Sequence, residues 1–113
     1  MYIESKTIKA ANKAGGKGEI TITHFLGQEE LDGKCGMFAK VTIPPGASIG
    51  VHPHNGNTET YHILSGTALY NDNGTEKKIG AGITTFCPDG EIHGIENASD
   101  TEDLVFIALI INK

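Results

Sequence analysis

Apolar and polar residues in this chain change sides at nearly every step, and nowhere do they keep a long 3.6-residue period. Over residues 19–26, Ile20, Ile22 and His24 share one face while Thr21, Thr23 and Phe25 share the other, the period-two pattern of a half-buried strand. Residues 37–43 set Met37, Ala39, Val41 and Ile43 against Phe38, Lys40 and Thr42, and Pro44-Pro45-Gly46 ends that strand by removing amide donors. The same reading predicts strands over 58–64, 67–70, 75–79, 83–87 and 92–96. Asn71-Asp72-Asn73-Gly74 supplies the positive-φ residues of a hairpin turn. Residues 104–111 are apolar on both faces, which predicts a strand buried inside a sandwich or at a subunit interface. Residues 28–36, with Glu29, Glu30, Asp32 and two glycines, read as an exposed loop. The fold class is all-β, since a mixed α+β domain needs a helix that the pattern does not contain.

Length limits this to one domain, as 113 residues bury a single core. Residues 1–18 are polar, with little to bury, and read as an arm that docks on a neighbouring subunit. A net charge of −5 speaks against a nucleic-acid surface, which needs clustered positive charge. No apolar run approaches membrane-spanning length and residues 1–18 lack a leader-like apolar stretch, so the expectation is a cytoplasmic protein with neither nucleic acid nor membrane as partner. The two cysteines, Cys35 and Cys87, are too few for a disulfide framework. Cys87 reads as a small buried hydrophobe, or as a thiol near enough to His93 to ligate or oxidise.

All nine basic residues are lysines, so no guanidinium fork is available to clamp a carboxylate or phosphate. Small dianions lose weight as substrates unless a lysine or backbone amides serve instead. Lys40 either reaches inward to an anionic ligand or lies on a solvated outer face.

The histidines carry the chemistry. His52 and His54, two apart on an extended segment, turn their rings to one face, and Glu59 and Tyr61 likewise share a face. His93 arrives on a separate segment after Pro88 and Gly90. Three imidazoles and one carboxylate suit a divalent transition metal (Fe, Mn, Ni, Zn, Co or Cu), and a dipositive ion beside one carboxylate leaves a formal +1 centre for an anionic oxygen. His24 and His62 lack such a setting and read as surface positions, His62 alternating outward.

The spacing then becomes specific. Gly46, five residues, His52-Pro53-His54, four residues, Glu59, six residues and Gly66 resembles the first cupin motif without a departure. Gly82, five residues, Pro88, one residue, Gly90, two residues, His93, three residues and Asn97 resembles the second. The resemblance, over about half of the chain, is to a small single-domain cupin, a double-stranded β-helix or jelly-roll β-barrel, here spanning 19–113. It implies a metal held by His52, His54, Glu59 and His93 with open positions for water or substrate, and a homodimer. Asn97 reads as a tie at a strand end. Were the motif only a marker of the fold, unpaired buried histidines and a carboxylate would be costly to keep.

Fold does not decide function among cupins. The missing arginine counts against chemistry like that of oxalate decarboxylases and of nucleotide-sugar epimerases. The leading reading is an enzyme of dioxygenase, lyase, decarboxylase or isomerase type acting on a small substrate that chelates the metal through oxygen. In that reading Tyr61 donates a proton or hydrogen bond, or merely lines the site. The alternative is a non-catalytic metal-dependent module that binds or senses a small ligand.

Overall fold

The computed structural model describes residues 1–113. Ten strands form the chain's framework: β1 (Lys6–Ala11), β2 (Glu19–His24), β3 (Cys35–Ile43), β4 (Ser48–Pro53), β5 (Asn57–Ser65), β6 (Thr67–Asp72), β7 (Thr75–Gly80), β8 (Thr84–Cys87), β9 (Ile92–Asn97) and β10 (Leu104–Asn112). They make a six-stranded sheet in the order β1-β2-β3-β10-β5-β8 and a four-stranded sheet in the order β4-β9-β6-β7. Neighbours are antiparallel throughout.

The inward positions are those the alternation assigns. Ile20 and Ile22, Ala39, Val41 and Ile43, Tyr61 and Ile63, and Leu104, Phe106 and Ala108 bury the inner face of the larger sheet against Ile49, Ala68, Tyr70 and Ile95 of the smaller. β10 runs between β3 and β5, so its two apolar faces have different fates: Phe106 is fully buried inside, while Ile107 lies half-buried outside, opposite Lys40 and His62. The Asn73-Gly74 turn has φ of 52° and 94°, the double left-handed turn that a two-residue hairpin favours. Asn97 ties three strands' ends: its amide donates to the carbonyls of Ile43 and Glu102, both at 2.8 Å, and its oxygen accepts from the Ser99 amide at 2.8 Å.

Two segments differ from expectation. Residues 28–31 form one helical turn, Gln28–Leu31, where a loop was expected; the Gly27 amide donates to Glu30 Oε1 at 2.9 Å. A single turn is too short to leave a periodic signal. The supposed arm joins the sandwich from Lys6 onward, with β1 pairing along β2 from Lys6↔His24 to Ala11↔Glu19. Its residues bury almost nothing, so backbone hydrogen bonds and not hydrophobic pattern hold it. No helix is long and apolar enough to cross a membrane.

Candidate metal centre

His52 faces the interior because β4 is irregular. Ile49 pairs with Ile95 and His52 with His93, so three steps on β4 span two on β9. The extra residue reverses the alternation: Ile49 stays buried, Val51 turns out to solvent and His52 turns in. Gly50 is required in this bulge, since a Cβ there would collide with the Ala14 carbonyl oxygen. His54 follows the strand's end, its amide donating to the Glu91 carbonyl at 3.0 Å and its carbonyl accepting from the Gly90 amide at 2.6 Å. Glu59 projects inward from β5 of the other sheet, opposite Cys87. The centre therefore bridges the two layers.

Each imidazole is oriented from behind. His52 Nδ1–H donates to the Gly50 carbonyl at 2.7 Å, and His54 Nδ1–H donates to Asn57 Oδ1 at 2.8 Å. His93 Nδ1 lies 2.7 Å from the Tyr70 hydroxyl. A neutral imidazole with Nδ1–H engaged carries its lone pair on Nε2. His54 Nε2 and His93 Nε2 are 3.1 Å apart, each is 3.0 Å from Glu59 Oε1, and His52 Nε2 is 3.6 Å from it. The donor atoms of all four residues lie within 4.8 Å of one another. Two ligand atoms each about 2.1 Å from one ion stand about 3.0 Å apart at a right angle, so the 3.0–3.1 Å spacings among His54, His93 and Glu59 fit adjacent positions around a divalent cation, and a small inward shift of His52 would complete the set.

The charges agree. Burial pushes the Glu59 carboxyl up, but hydrogen bonds from His52 and His93 and the charges of the imidazoles more than offset it and hold the group down at about 2. Glu59 is thus an anion, 4% exposed. His93, 0% exposed, is lowered by burial against the pull of Glu59, which favours the neutral ring that a metal would require. His52 is raised, first through its hydrogen bond to Glu59.

The cavity lined by His52, His54 and Glu59 has a volume of about 300 Å³, and Ile22, Met37, Val41, Ile49 and Ala108 give it apolar walls. Tyr61 also lines it, its ring stacked on His93 at 4.9 Å and 17° and packed against Phe106 at 4.5 Å. Burial pushes the Tyr61 phenol well above its ordinary range, and Tyr70 is pushed up to about 12 for the same reason. Both remain protonated donors at neutral pH. Thr85 Oγ1 is buried without a hydrogen-bond partner.

Other candidates stay outside. Cys87 is buried, with its thiol pushed up to about 11 chiefly by desolvation, and does not join the four donors. His62 is exposed and bonds Thr84 Oγ1 through Nδ1 at 2.9 Å. His24 and Lys40 do not line the cavity. Asn57, Tyr70 and the Gly50 carbonyl were missed in the sequence. The His54-to-Asn57 spacing was the one local signal, since Tyr70 reaches His93 only through the pairing of β6 with β9.

A cupin-domain family model matches residues 39–110. This chain is a cupin. An oxalate-binding protein of Thermotoga maritima is 44% identical to it over 114 residues, covering 98% of this chain and 93% of that one. A crystal structure from the same organism, of a predicted oxalate decarboxylase, superposes with a TM-score of 0.88 at 42% identity, covering 98% of this cupin and 94% of that chain. The cupin domain of Schizosaccharomyces pombe Cnp3 shares the fold alone, with a TM-score of 0.73 at 16% identity over 99% of this chain and 90% of that one.

Proposed function

We propose that this cupin holds one divalent transition-metal ion on His52, His54, Glu59 and His93 and through it binds a small anion that chelates with two oxygens, of the oxalate class. The observation that carries the reading is the donor set itself: three oriented imidazole nitrogens and one ionised oxygen converge within 4.8 Å of one another. Fe, Mn, Ni, Zn, Co and Cu all suit these ligands. When bound, such an ion supplies Lewis acidity and a positive centre for ligand oxygens. The protein's own contribution is a cavity with largely apolar walls, at the small end of the roughly 300–1,000 Å³ range of ligand sites.

Oxalate as the ligand class is supported by the 44%-identical oxalate-binding relative. It reverses the weight placed on the absent arginine, because a metal chelate does not need a guanidinium fork.

Turnover is the second reading, favoured by Tyr61. It is a protonated phenol in the cavity wall whose ring is held against His93, and it could donate to a chelated substrate in decarboxylase, isomerase or dioxygenase chemistry. The same experiment tests both readings. Protein purified without a metal-affinity tag is assayed for metal, then titrated with oxalate while the solution is followed for oxalate loss. One equivalent of metal and saturable binding without loss support the binding module; consumption that falls in Tyr61→Phe supports the enzyme. A wild-type protein that takes up no more metal than a His52→Ala, His93→Ala variant overturns both.

Cytoplasmic location and a homodimer complete the proposal. Two free thiols suit a reducing compartment, and the exposed apolar side chains of Met1, Tyr2, Ile8 and Phe86 suit burial against a second copy. A monomer of 12.0 kDa by light scattering at micromolar concentration would rule the dimer out.

A further inference from the structure

The cavity has one lysine in its wall, and it comes from the segment ahead of β2. Lys13 and Ala14 line the cavity together with His52, His54, Glu59 and Tyr61. We propose that Lys13 selects the ligand, its ammonium meeting the outward oxygens of a small dicarboxylate chelated at the metal. This rests on the proposed chelating function. An oxalate that binds an ion through one oxygen of each carboxylate turns its other two oxygens away from the ion, toward the mouth. A formal +1 centre and one ammonium match its two negative charges, in a chain that has no arginine to do so.

The turn that carries Lys13 is fixed in place. Asn12, Ala14 and Gly15 have φ of 52°, 53° and 77°, left-handed conformations that a non-glycine residue adopts only where its surroundings impose them. Here they do. The Asn12 amide donates to the Gly18 carbonyl at 2.9 Å and the Gly16 amide to the Lys13 carbonyl at 2.8 Å, closing the turn. The Lys17 amide donates to Ser48 Oγ at 3.0 Å, and the Ser48 amide returns a bond to the Lys17 carbonyl at 2.9 Å, pinning the turn to β4. The two segments lie backbone against backbone. A Cβ on Gly16 would collide with the Ser48 carbonyl oxygen, as one on Gly50 would with that of Ala14. The bulge that turns His52 inward is thus the same stretch that seats Lys13 at the mouth. Consistently, the charge of Lys13 is felt at His52, where it disfavours the protonated ring.

The test uses the metal-loaded full chain and compares oxalate with glycolate, a chelator carrying one carboxylate. Oxalate is expected to bind about tenfold more weakly to Lys13→Met, which corresponds to about 1.4 kcal/mol. Glycolate is expected to change by less than about twofold, because its single carboxylate is largely matched by the metal. Metal stoichiometry stays as in the wild type, Lys13→Arg restores most of the oxalate affinity, and Lys40→Met, on the outer face of β3, leaves it unchanged. The salt dependence of oxalate binding becomes shallower in Lys13→Met. Equal oxalate affinity in wild type and Lys13→Met would overturn the role of Lys13 while leaving the chelation reading standing. A metal-loaded wild type that binds no oxalate would overturn that reading and the role of Lys13 with it.

Discussion

Replacing Tyr70 by Phe removes one oxygen atom and nothing else, and it separates the support of a metal ligand from the ligand itself. The phenol hydroxyl lies 2.7 Å from His93 Nδ1 in a site where His93 is 0% exposed. Without it the imidazole has no partner for that nitrogen, and both ring orientation and basicity at Nε2 are lost in part. Loss of a comparable supporting hydrogen bond weakens metal binding about 10- to 100-fold. The metal-free protein loses the bond as well, at about 1–3 kcal/mol for an unpartnered buried group. The decisive quantity is therefore the difference between the two states. At a free metal concentration of about 1,000 times the wild-type Kd, the ion stabilises the fold by about 4.1 kcal/mol, and a tenfold weaker site retains about 2.7. In a domain of this size about 1 kcal/mol moves Tm by about 4–8 °C, so the rise in Tm on adding metal should shrink by at least about 6 °C in Tyr70→Phe. Chelator competition gives the affinity directly, and calorimetry with and without metal gives the shift. If Tyr70→Phe binds metal as tightly as the wild type and loses the same stability in both states, Tyr70 is core packing and the orientation argument fails.

Gly50→Ala should cost about 1–3 kcal/mol by overpacking against Ala14 and weaken metal binding through His52, read together by urea unfolding and metal titration; intact metal affinity would mean that the bulge does not aim the ligand. Asn97→Ala strands the carbonyls of Ile43 and Glu102 and the Ser99 amide, and a loss of about 2–4 kcal/mol in urea is expected with metal content per folded molecule unchanged. In alkali the phenol of Tyr70 ionises at about 12 in the fold, against about 10 in the open chain. Because the folded value is the higher one, its contribution is complete below pH 10 and is lost as pH rises through 12, up to about 3 kcal/mol. Phenolate absorbance at 295 nm should therefore show Tyr61 and Tyr70 silent until the protein unfolds, and their early titration would refute their burial.

What could be read in the chain and what could not divide along a physical line. A metal demands particular residue types, so His52, His54, Glu59 and His93 stood out as candidate ligands before any strand had a partner, and the fold brings those four side chains together. The inner faces of β2, β3, β5 and β10 were legible too, since a misplaced Ile20 or Phe106 would forfeit its burial. β1 was not, because Lys6–Ala11 buries almost nothing and is held by backbone groups that every sequence possesses. The bulge in β4 was invisible because Ile49 and Val51 alternate as they would in a regular strand, and only the pairing with β9 exposes the extra residue. Tyr70 was a core aromatic until β6 lay beside β9. Lys13 was the least legible, standing in a glycine-rich stretch that read as an arm. These omissions share a cause: they are relations between segments, and a single chain states only which residues are present. The consequence for function is specific. The four residues proposed to hold the metal sit on the barrel's strands or, for His54, just past the end of one, where a change unpairs a buried charge or donor. Lys13, the cation proposed to meet the anion, sits on a surface turn, so on this reading the class of ligand can change at Lys13 without disturbing the four inner donors.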